Sequence, residues 1–285
     1  MNITVVGGKG FIGKPLVAEL SKRHRVETWD LPEVDLRDPA AIAKRLEERR
    51  PDMVVNLAAV LGTMYSKNIQ EIFATNVVGN INLVEACLAH GIKRFVFASS
   101  LTVHGPNEIG KHHTSHSPFN PIQAYAASKA AAEYSLMQYS KHNGVTTVVL
   151  RPASVLGEGT PMNHAPSDFV KTLLRGDSIE LFGGGEHERE WLWIDDVVSG
   201  FCKAVDFCAK APAGYHPFFI SANRISMKDL AERCVSFIGG SVKVAAGTAQ
   251  AFSLTCDASD TQKILGWRVE YTIDDIIQNL IKIFK

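Results

Sequence analysis

The sequence predicts an α/β fold in which a doubly wound, parallel sheet is followed by a smaller C-terminal region. Over residues 1–157, short β-branched and aromatic runs alternate with longer stretches whose apolar residues recur at helical spacing. The runs are apolar throughout, which is typical of strands buried on both faces of a parallel sheet. Strict alternation of strand and helix then implies right-handed crossovers between parallel strands.

Five strands are predicted in this part of the chain. They are ITVVGG (3–8), RVETWD (25–30), MVVNLAA (53–59), RFVFASS (94–100) and TTVVLRPASVLG (146–157). The clearest helical patterns cover 68–90 and the stretch from Pro121 to Asn143. Because ligands of such sheets bind beyond the carboxyl ends of the strands, the ends of the five runs are expected to face one crevice.

The alternation weakens beyond residue 157. Loops rich in Gly, Pro and His, such as GGGEHERE (183–190) and AKAPAGYHP (209–217), separate shorter elements. We therefore assign residues 1–157 to the sheet-containing core and 158–285 mainly to a smaller region that caps the crevice. Late core elements interrupt this smaller region, and 195–209 is expected to be a helix that returns to the core.

The composition argues against several classes of function. The chain has 285 residues, of which 46% are hydrophobic, and its 30 basic residues balance 30 acidic ones. We therefore expect neither a nucleic-acid partner nor an anionic membrane surface. Five scattered cysteines without a Cys-x-x-Cys pair argue against disulfides and structural zinc. With no charged leader and no apolar run expected to span a bilayer, the sequence predicts a cytoplasmic protein.

The motif GGKGFIG (7–13) directly follows the first strand and precedes a helical pattern. Glycines in such a turn let the backbone approach a dinucleotide pyrophosphate, which the helix N-terminus then binds. Asp30 ends the second strand, where a carboxylate accepts the ribose hydroxyls of NAD and repels the 2′-phosphate of NADP. Lys9, a basic residue in the glycine loop, is a mild signal for NADP instead. Asp35 and Leu36 are candidates to flank the adenine, although Asp35 or Asp38 could instead start the next helix.

The stretch YAASK (125–129) places a phenol and an ammonium four residues apart on one face of a helix. Ser99 and Ser100 end the fourth strand at the same crevice. We expect the charge of Lys129 to lower the pKa of Tyr125. The phenolate would then take the proton of a substrate hydroxyl while hydride leaves for the nicotinamide, and Ser100 would hold the oxygen.

Eight short motifs follow one another along the chain. They are GGKGFIG (7–13), NLAA (56–59), ATNVVGNINLVEA (74–86), SSLTVHG (99–105), YAASKAAAE (125–133), RPASVLG (151–157), REWLWIDDVV (189–198) and LGW (265–267). In sequence and order they resemble the extended short-chain dehydrogenase/reductase family, in the NAD-dependent epimerase/dehydratase group typified by UDP-glucose 4-epimerase. The resemblance covers nearly the whole chain and implies a Rossmann sheet, NAD as the cofactor, and a C-terminal region that binds a sugar or nucleotide sugar.

The resemblance also implies roles for individual residues. The catalytic residues would be Ser100, Tyr125 and Lys129. Cofactor contacts would come from Gly7, Gly10, Phe11, Ile12, Gly13, Asp30, Leu57, Ala58, Ala59, Asn76, Ser99, Ala153 and Val155, together with Tyr125 and Lys129. The substrate would meet Ser100, Tyr125, Ser154 and Arg189, of which Arg189 matches an arginine that binds the diphosphate of UDP-sugars.

The chain departs from the family pattern at several positions. Leu101 and Thr102 stand where the dehydratases have Asp-Glu, so 4,6-dehydration is disfavoured. His104 replaces the tyrosine of Val-Tyr-Gly, and Ser154 replaces a substrate-binding asparagine. A second diphosphate-binding arginine is missing where Gly-Thr-Ala-Gln (247–250) stands. One arginine neutralises a diphosphate poorly, which argues against a nucleotide sugar.

Some other residues have simpler interpretations. The loop histidines, His112, His113 and His116, have no carboxylate or thiol beside them, so no metal site is expected. Trp191 and Trp193 alternate on a strand-like run and are interpreted as packing residues. Glu133, one turn beyond Lys129, is interpreted as its i+4 helix partner.

Three functions stay open at this point. The first is an epimerase of a nucleotide sugar, in which hydride goes to NAD and returns to the other face of the sugar. The second is an NAD-dependent dehydrogenase of a small sugar or a related alcohol. The third is a non-enzymatic NAD-sensing protein, against which the Ser-Tyr-Lys set argues. A homodimer is also left open.

Overall fold

The structure, a computed structural model, describes residues 1–61, 68–244 and 252–285. Its strands are β1 (Asn2–Val6), β2 (Arg25–Trp29), β3 (Met53–Asn56), β4 (Arg94–Ala98), β5 (Thr146–Pro152), β6 (Ser154–Leu156), β7 (Ile179–Leu181), β8 (Glu188–Arg189), β9 (Trp191–Trp193), β10 (Gly214–Ile220), β11 (Ile225–Ser226) and β12 (Val242–Val244). Its α-helices are α1 (Gly13–Ser21), α2 (Pro39–Glu48), α3 (Ile69–Phe73), α4 (Gly79–Ala89), α5 (Ala124–Asn143), α6 (Ala165–Leu174), α7 (Ile194–Cys208), α8 (Met227–Ile238) and α9 (Ile273–Phe284). A π-helical turn over Ala74–Val78 joins α3 to α4, and a short 3-10 helix covers Leu101–His104.

Six strands form one parallel sheet in the order β2-β1-β3-β4-β5-β10. Helices α1 and α7 share a buried apolar core with one face of this sheet. Helices α2, α4 and α5 share a second core with the other face. The predicted doubly wound fold is therefore confirmed. The chain leaves β1 toward β2 on one side and later adds β3 on the other, which opens a crevice at the carboxyl ends of these strands.

Two strand predictions differ from the structure. The run 146–157 divides into β5, which stays in the main sheet, and β6, which pairs with β9 instead. The segment 209–217 was expected to be a loop, yet Gly214 begins β10, the sixth strand of the main sheet. Because β10 bonds to β5 alone, it is an edge strand, where Pro217 and half-buried polar residues are tolerated. Its composition therefore resembles that of a loop.

The C-terminal region has a core of its own. Helices α6, α8 and α9 pack around buried residues of β7 and β9, including Trp191 and Trp193. Both tryptophans are packing residues, as expected. Helix α7 leaves this region and packs on the main sheet against α1 and β5. The short pair β6–β9 joins the two parts at the end of the crevice.

The segment Ile69–Ala89 is long and apolar enough, by length and composition alone, to cross a membrane. The expectation that no apolar run reaches this length is therefore wrong. The segment connects β3 to β4, which are neighbours in the main sheet. Its residues Ile72, Leu83 and Val84 are buried. We interpret it as the crossover helix of an α/β unit, whose apolar residues serve the core.

Candidate active site

The glycine loop between β1 and α1 lies against the loop that follows β3. Gly7 has φ of +81°, and a Cβ on it would stand 2.9 Å from the backbone nitrogen of Ala58. A Cβ on Gly13, the first residue of α1, would collide with the carbonyl oxygen of Gly7. Neither position accepts a side chain, so the backbone and the N-terminus of α1 stay accessible to a pyrophosphate.

Residues expected around the cofactor gather at the same crevice. Ile12, Leu57, Ala153 and Val155 are partly buried against one core cluster beneath the glycine loop. Phe11 packs near Gly157, just after β6, where a Cβ would stand 3.3 Å from its ring. The structure thus brings together the carboxyl ends of three predicted strands, 3–8, 53–59 and 146–157.

The two carboxylate oxygens of Asp30, which follows β2, have different surroundings. Oδ1 accepts the backbone N–H of Lys9 at 2.9 Å. Oδ2 is buried and has no hydrogen-bond partner in the described part of the chain. A buried, unpaired acceptor is costly, and a ribose hydroxyl of NAD would satisfy it. Lys9 Nζ lies 3.0 Å from Glu33, so its charge is already compensated and its signal for NADP is weakened.

The two candidates for the adenine side of the crevice are both occupied within the protein. The Asp35 carboxylate binds Arg37 through Nε and Nη2, which lowers its pKa. Leu36 is 5% exposed and belongs to the core. Asp38 caps α2 by accepting the backbone N–H of Ala40 at 2.9 Å, which agrees with the alternative interpretation for this segment.

Asn76 lies in the π-helical turn and links the crevice wall to α5. Its Oδ1 accepts the N–H of Val60 at 2.8 Å, and its Nδ2 donates to the Val60 carbonyl and to Ser128 Oγ. Ser128 in turn donates to the carbonyl of Tyr125 at 2.7 Å. Both amide hydrogens of Asn76 are used within the protein, so any cofactor contact is left to Oδ1. Sequence reasoning missed Ser128, although it lies inside YAASK.

Tyr125 and Lys129 lie in the first turns of α5, against the carboxyl end of β4. Lys129 is 2% exposed, and its Nζ donates to the carbonyl of Ala98 at 2.8 Å. The ammonium lies 5.9 Å from the centroid of the Tyr125 ring. Because Ala98 is the last residue of β4, this bond holds the helix next to the strand end that carries Ser100.

The ionisation of this pair differs from the sequence-based expectation. Burial raises the pKa of Tyr125 to about 12 and lowers the pKa of Lys129 to about 7. The expectation that Lys129 lowers the pKa of the phenol is therefore wrong for the protein's own groups. The desolvation of each group outweighs the attraction of a single ammonium that lies 5.9 Å from the centroid of the phenol ring.

Ser100 is oriented by a residue that sequence reasoning did not assign. Its Oγ accepts from Thr102 Oγ1 at 2.8 Å and from the Thr102 backbone N–H at 3.2 Å. The hydrogen of the Ser100 hydroxyl is then free to donate to a substrate oxygen. Leu101 is 2% exposed and packs beside Phe219, so it presents no group to the crevice.

Glu133 is not the helix partner that the i+4 spacing predicted. Its carboxylate forms a buried ion pair with Arg151, whose Nη2 lies 2.7 Å from Oε2. Ser99 Oγ also donates to this carboxylate, so the Ser99 side chain serves the protein interior. A signal for the pair was present, because Arg151 is the one charged residue in the apolar run TTVVLRP.

Arg189 lies in the C-terminal region and carries a buried, unpaired group. Its Nη1 is buried and has no hydrogen-bond partner among residues 1–61, 68–244 and 252–285. Burial lowers its pKa to about 10, and its guanidinium carbon lies 4.3 Å from the centroid of the Phe252 ring. Of the neighbouring acids, Glu190 pairs with Arg224 at 3.1 Å and Asp195 accepts from a tyrosine. Glu188 Oε2 is itself buried and has no hydrogen-bond partner in the described residues.

Other residues expected near the substrate are placed as follows. Ser154 begins β6 and pairs with Trp191 of β9, two residues from Arg189. The segment 247–250, where a second arginine is missing from the sequence, lies outside the described residues.

The loop histidines make separate contacts. His112 Nδ1 lies 2.8 Å from Thr255 Oγ1, and its Nε2 lies 2.8 Å from an Arg224 nitrogen. His113 Nε2 lies 3.0 Å from the carbonyl of Gly105. Within the described ranges, no group of three or more potential ligands could hold a metal. His112 and Arg224 also line a cavity of about 540 Å³ whose lining excludes the three catalytic candidates.

Comparison with known families gives a match over most of the chain. A family model described as the NAD dependent epimerase/dehydratase family matches residues 3–216. Among similar proteins, a UDP-glucose 4-epimerase of Caenorhabditis elegans is 26% identical over 98% of this chain and 96% of its own. A GDP-6-deoxy-D-talose 4-dehydrogenase of Aggregatibacter actinomycetemcomitans is 28% identical over 69% of this chain and 67% of its own.

Solved structures show the same fold. A UDP-glucose 4-epimerase of Thermotoga maritima with UDP-glucose superposes with a TM-score of 0.85 over 100% of this chain and 98% of its own, at 23% identity. A dTDP-glucose 4,6-dehydratase of Bacillus anthracis in complex with NAD gives a TM-score of 0.82 over 99% and 96%, at 21% identity. At these identities the superpositions establish the fold alone.

Proposed function

Because the chain belongs to the NAD dependent epimerase/dehydratase family, we propose that it is a nucleotide-sugar epimerase that uses NAD and resembles UDP-glucose 4-epimerase. The observation that carries the proposal is the buried guanidinium nitrogen of Arg189, which has no partner in the described residues. A buried guanidinium nitrogen without a hydrogen-bond partner is costly, and a diphosphate would supply both an acceptor and a negative charge. The similar UDP-glucose 4-epimerase of C. elegans supports this class of substrate.

The proposed reaction divides the work among three side chains. The glycine loop and Asp30 would hold NAD, which would supply the hydride acceptor and a positive charge that favours the phenolate of Tyr125. Tyr125 takes the proton of the sugar hydroxyl, while Ser100 donates a hydrogen bond to the same oxygen. Lys129 would carry a positive charge next to the phenol once a ribose of NAD accepts from its ammonium and raises its pKa from about 7. Tyr125 would return the same proton to the sugar oxygen at the end of the reaction, so an epimerase would carry out no net oxidation.

A 4,6-dehydratase is disfavoured on this chain. Such a reaction needs an acid and a base beside the hydroxyl that is oxidised. Leu101 is buried in the core, and the Thr102 hydroxyl is engaged with Ser100. Neither side chain replaces the Asp-Glu pair of the dehydratases.

An NAD-dependent dehydrogenase of a small sugar or sugar-like alcohol is the second candidate. The serine at Ser154 and the sequence at 247–250 remove two groups that bind nucleotide sugars in the family. The similar GDP-6-deoxy-D-talose 4-dehydrogenase supports a net redox reaction. A non-enzymatic NAD-sensing protein stays the weakest alternative, because Ser100, Tyr125 and Lys129 are all in place.

The test is a thermal-shift titration of NAD-loaded protein with UDP, GDP and CDP. We expect UDP to raise the Tm of the wild type, and Arg189→Ala to weaken UDP binding by about one to two orders of magnitude. Arg224→Ala is the matched control, since this arginine pairs with Glu190 and should affect stability alone. If neither UDP, GDP nor CDP raises the Tm of the wild type, the epimerase proposal is refuted. A parallel screen of UDP-, GDP- and free sugars for net NADH then separates dehydrogenase from epimerase.

A further inference from the structure

A buried ion pair lies under the catalytic helix, one turn beyond Lys129. The side chains of Glu133 on α5 and Arg151 on β5 are 0% and 1% exposed. Arg151 Nη2 lies 2.7 Å from Oε2 of the carboxylate, and Nε lies 3.1 Å from Oε1. The hydroxyls of Ser99 and Tyr215 also donate, one to each oxygen. Each oxygen therefore has at least two donors, and the carboxylate is fully satisfied.

Arg151 is also held on its other side. Its Nη1 donates to the carbonyl of Ser115 at 2.7 Å and lies 3.1 Å from Nε2 of His104. His104 donates from Nδ1 to the carbonyl of Pro118, so its Nε2 is an acceptor and its ring is neutral. Burial and the charge of Arg151 lower the pKa of His104 to about 4. The positive charge of this network therefore resides on Arg151.

Lys129 lies next to this network without joining it. Its Nζ donates to Ala98 and lies 4.8 Å from the centroid of Phe97 and 5.9 Å from that of Tyr125. In the described part of the chain, no carboxylate oxygen lies within 4.0 Å of this nitrogen, although Glu133 is one helical turn away. The negative charge of Glu133 nevertheless acts on Lys129 and opposes the lowering of its pKa by burial.

We propose that Arg151 is a positioning residue for the catalytic lysine: by occupying the carboxylate of Glu133, it leaves the ammonium of Lys129 on Ala98 and available to the cofactor and Tyr125. An unpaired buried carboxylate is so costly that it would draw in the nearest ammonium if the arginine were absent. The inference rests on the proposed function, which gives Lys129 its role.

The test compares Arg151→Met, Glu133→Gln and the double variant by the affinity for NAD measured across the neutral and alkaline range. In Arg151→Met, the charged Glu133 captures Lys129, and NAD binding weakens about tenfold or more. The double variant removes both charges and should bind NAD within about threefold of the wild type. Recovery of NAD binding in the double variant excludes lost packing as the cause, and it is also expected whenever the cost of an unpaired buried charge is removed.

The pH profiles give a second readout. The loss of NAD affinity at alkaline pH, which reports deprotonation of Lys129, should move to higher pH in Arg151→Met and to lower pH in Glu133→Gln. Because the charges of Glu133 and Arg151 act on Lys129 whether or not Arg151 positions it, these shifts alone do not separate the two explanations. The distinguishing control is Arg151→Met on a Lys129→Met background, which should weaken NAD binding no further if Arg151 acts through Lys129. A further tenfold loss on that background indicates a purely structural ion pair, and Arg151→Gln replaces Arg151→Met if the latter does not fold.

Three results overturn the proposal. The first is a double variant that binds NAD no better than Arg151→Met. The second is a Glu133→Gln profile that stays in place or moves to higher pH. The third is a Lys129→Met variant that binds NAD as tightly as the wild type, which would refute the assigned role of Lys129 and this inference with it. None of these measurements needs substrate turnover, so a wrong choice between epimerase and dehydrogenase leaves them unaffected.

Discussion

Asp30 offers the sharpest test of the cofactor site, because its two carboxylate oxygens have different surroundings. Oδ1 is bonded to Lys9 N–H, whereas Oδ2 is buried and unpaired in the described residues. In Asp30→Ala, the charge-assisted bond from Oδ2 to a ribose hydroxyl of NAD is lost. At about 1.5–3 kcal/mol, this loss weakens NAD binding by roughly 10- to 150-fold.

The same substitution should strengthen the binding of NADP. The carboxylate and a doubly charged 2′-phosphate at ~4 Å repel each other by about 2 kcal/mol in a water-like dielectric. Removing this repulsion strengthens NADP binding by roughly 30-fold. The ratio of NADP to NAD affinity should therefore rise by about 300-fold or more.

Calorimetric titration of cofactor-free protein with NAD and with NADP measures this ratio directly. Asp35→Ala is the matched control, because the Asp35 carboxylate is already bound by Arg37 and should not influence the ratio. The reasoning is refuted if the ratio stays constant in Asp30→Ala. It is equally refuted if Asp35→Ala changes the ratio as much as Asp30→Ala does.

The remaining predictions concern the catalytic residues. Tyr125→Phe should keep NAD affinity near that of the wild type and lower turnover by ~10²–10⁴. A steady-state rate lowered by much less than ~10² would remove Tyr125 from the mechanism. The pKa of Lys129 is about 7 in the protein without cofactor, so this amine is mostly neutral at pH 8. A ribose of NAD that accepts a hydrogen bond from the ammonium must raise the pKa of Lys129. NAD binding at pH 8 should therefore take up a fraction of a proton, detected by calorimetry in buffers of different ionisation enthalpy, and Lys129→Met should abolish the uptake. Thr102→Val removes a hydrogen bond to Ser100 and should lower kcat by about 3- to 10-fold at unchanged NAD affinity. Thr102→Ser keeps the hydroxyl and should retain the wild-type kcat. An equal loss of kcat in both variants would contradict the assigned hydrogen bond.

Some features of the protein follow from local sequence patterns. The parallel sheet follows from continuous β-branched runs separated by helical periodicity, and the family follows from motifs in a fixed order. The glycine loop is predictable because the close approach of Gly7 and Gly13 to neighbouring backbone excludes any Cβ. Tyr125 and Lys129 share a helix face because four residues make about one turn. The helix face and the motifs depend on residues close together along the chain, so spacing alone predicts them. Gly7, in contrast, also meets Ala58 of a loop far away in sequence.

Other features depend on segments that are far apart in sequence. Glu133 has Lys129 four residues before it, yet it pairs with Arg151, which α5 meets only when it packs on β5. The strand β10 resembles a loop in composition, and only its place at the free edge of the sheet makes it a strand. The pKa values of Tyr125 and Lys129 likewise depend on how much water the fold removes. Hydration and partner choice are properties of the packed molecule, because they depend on which distant groups replace water around a charge.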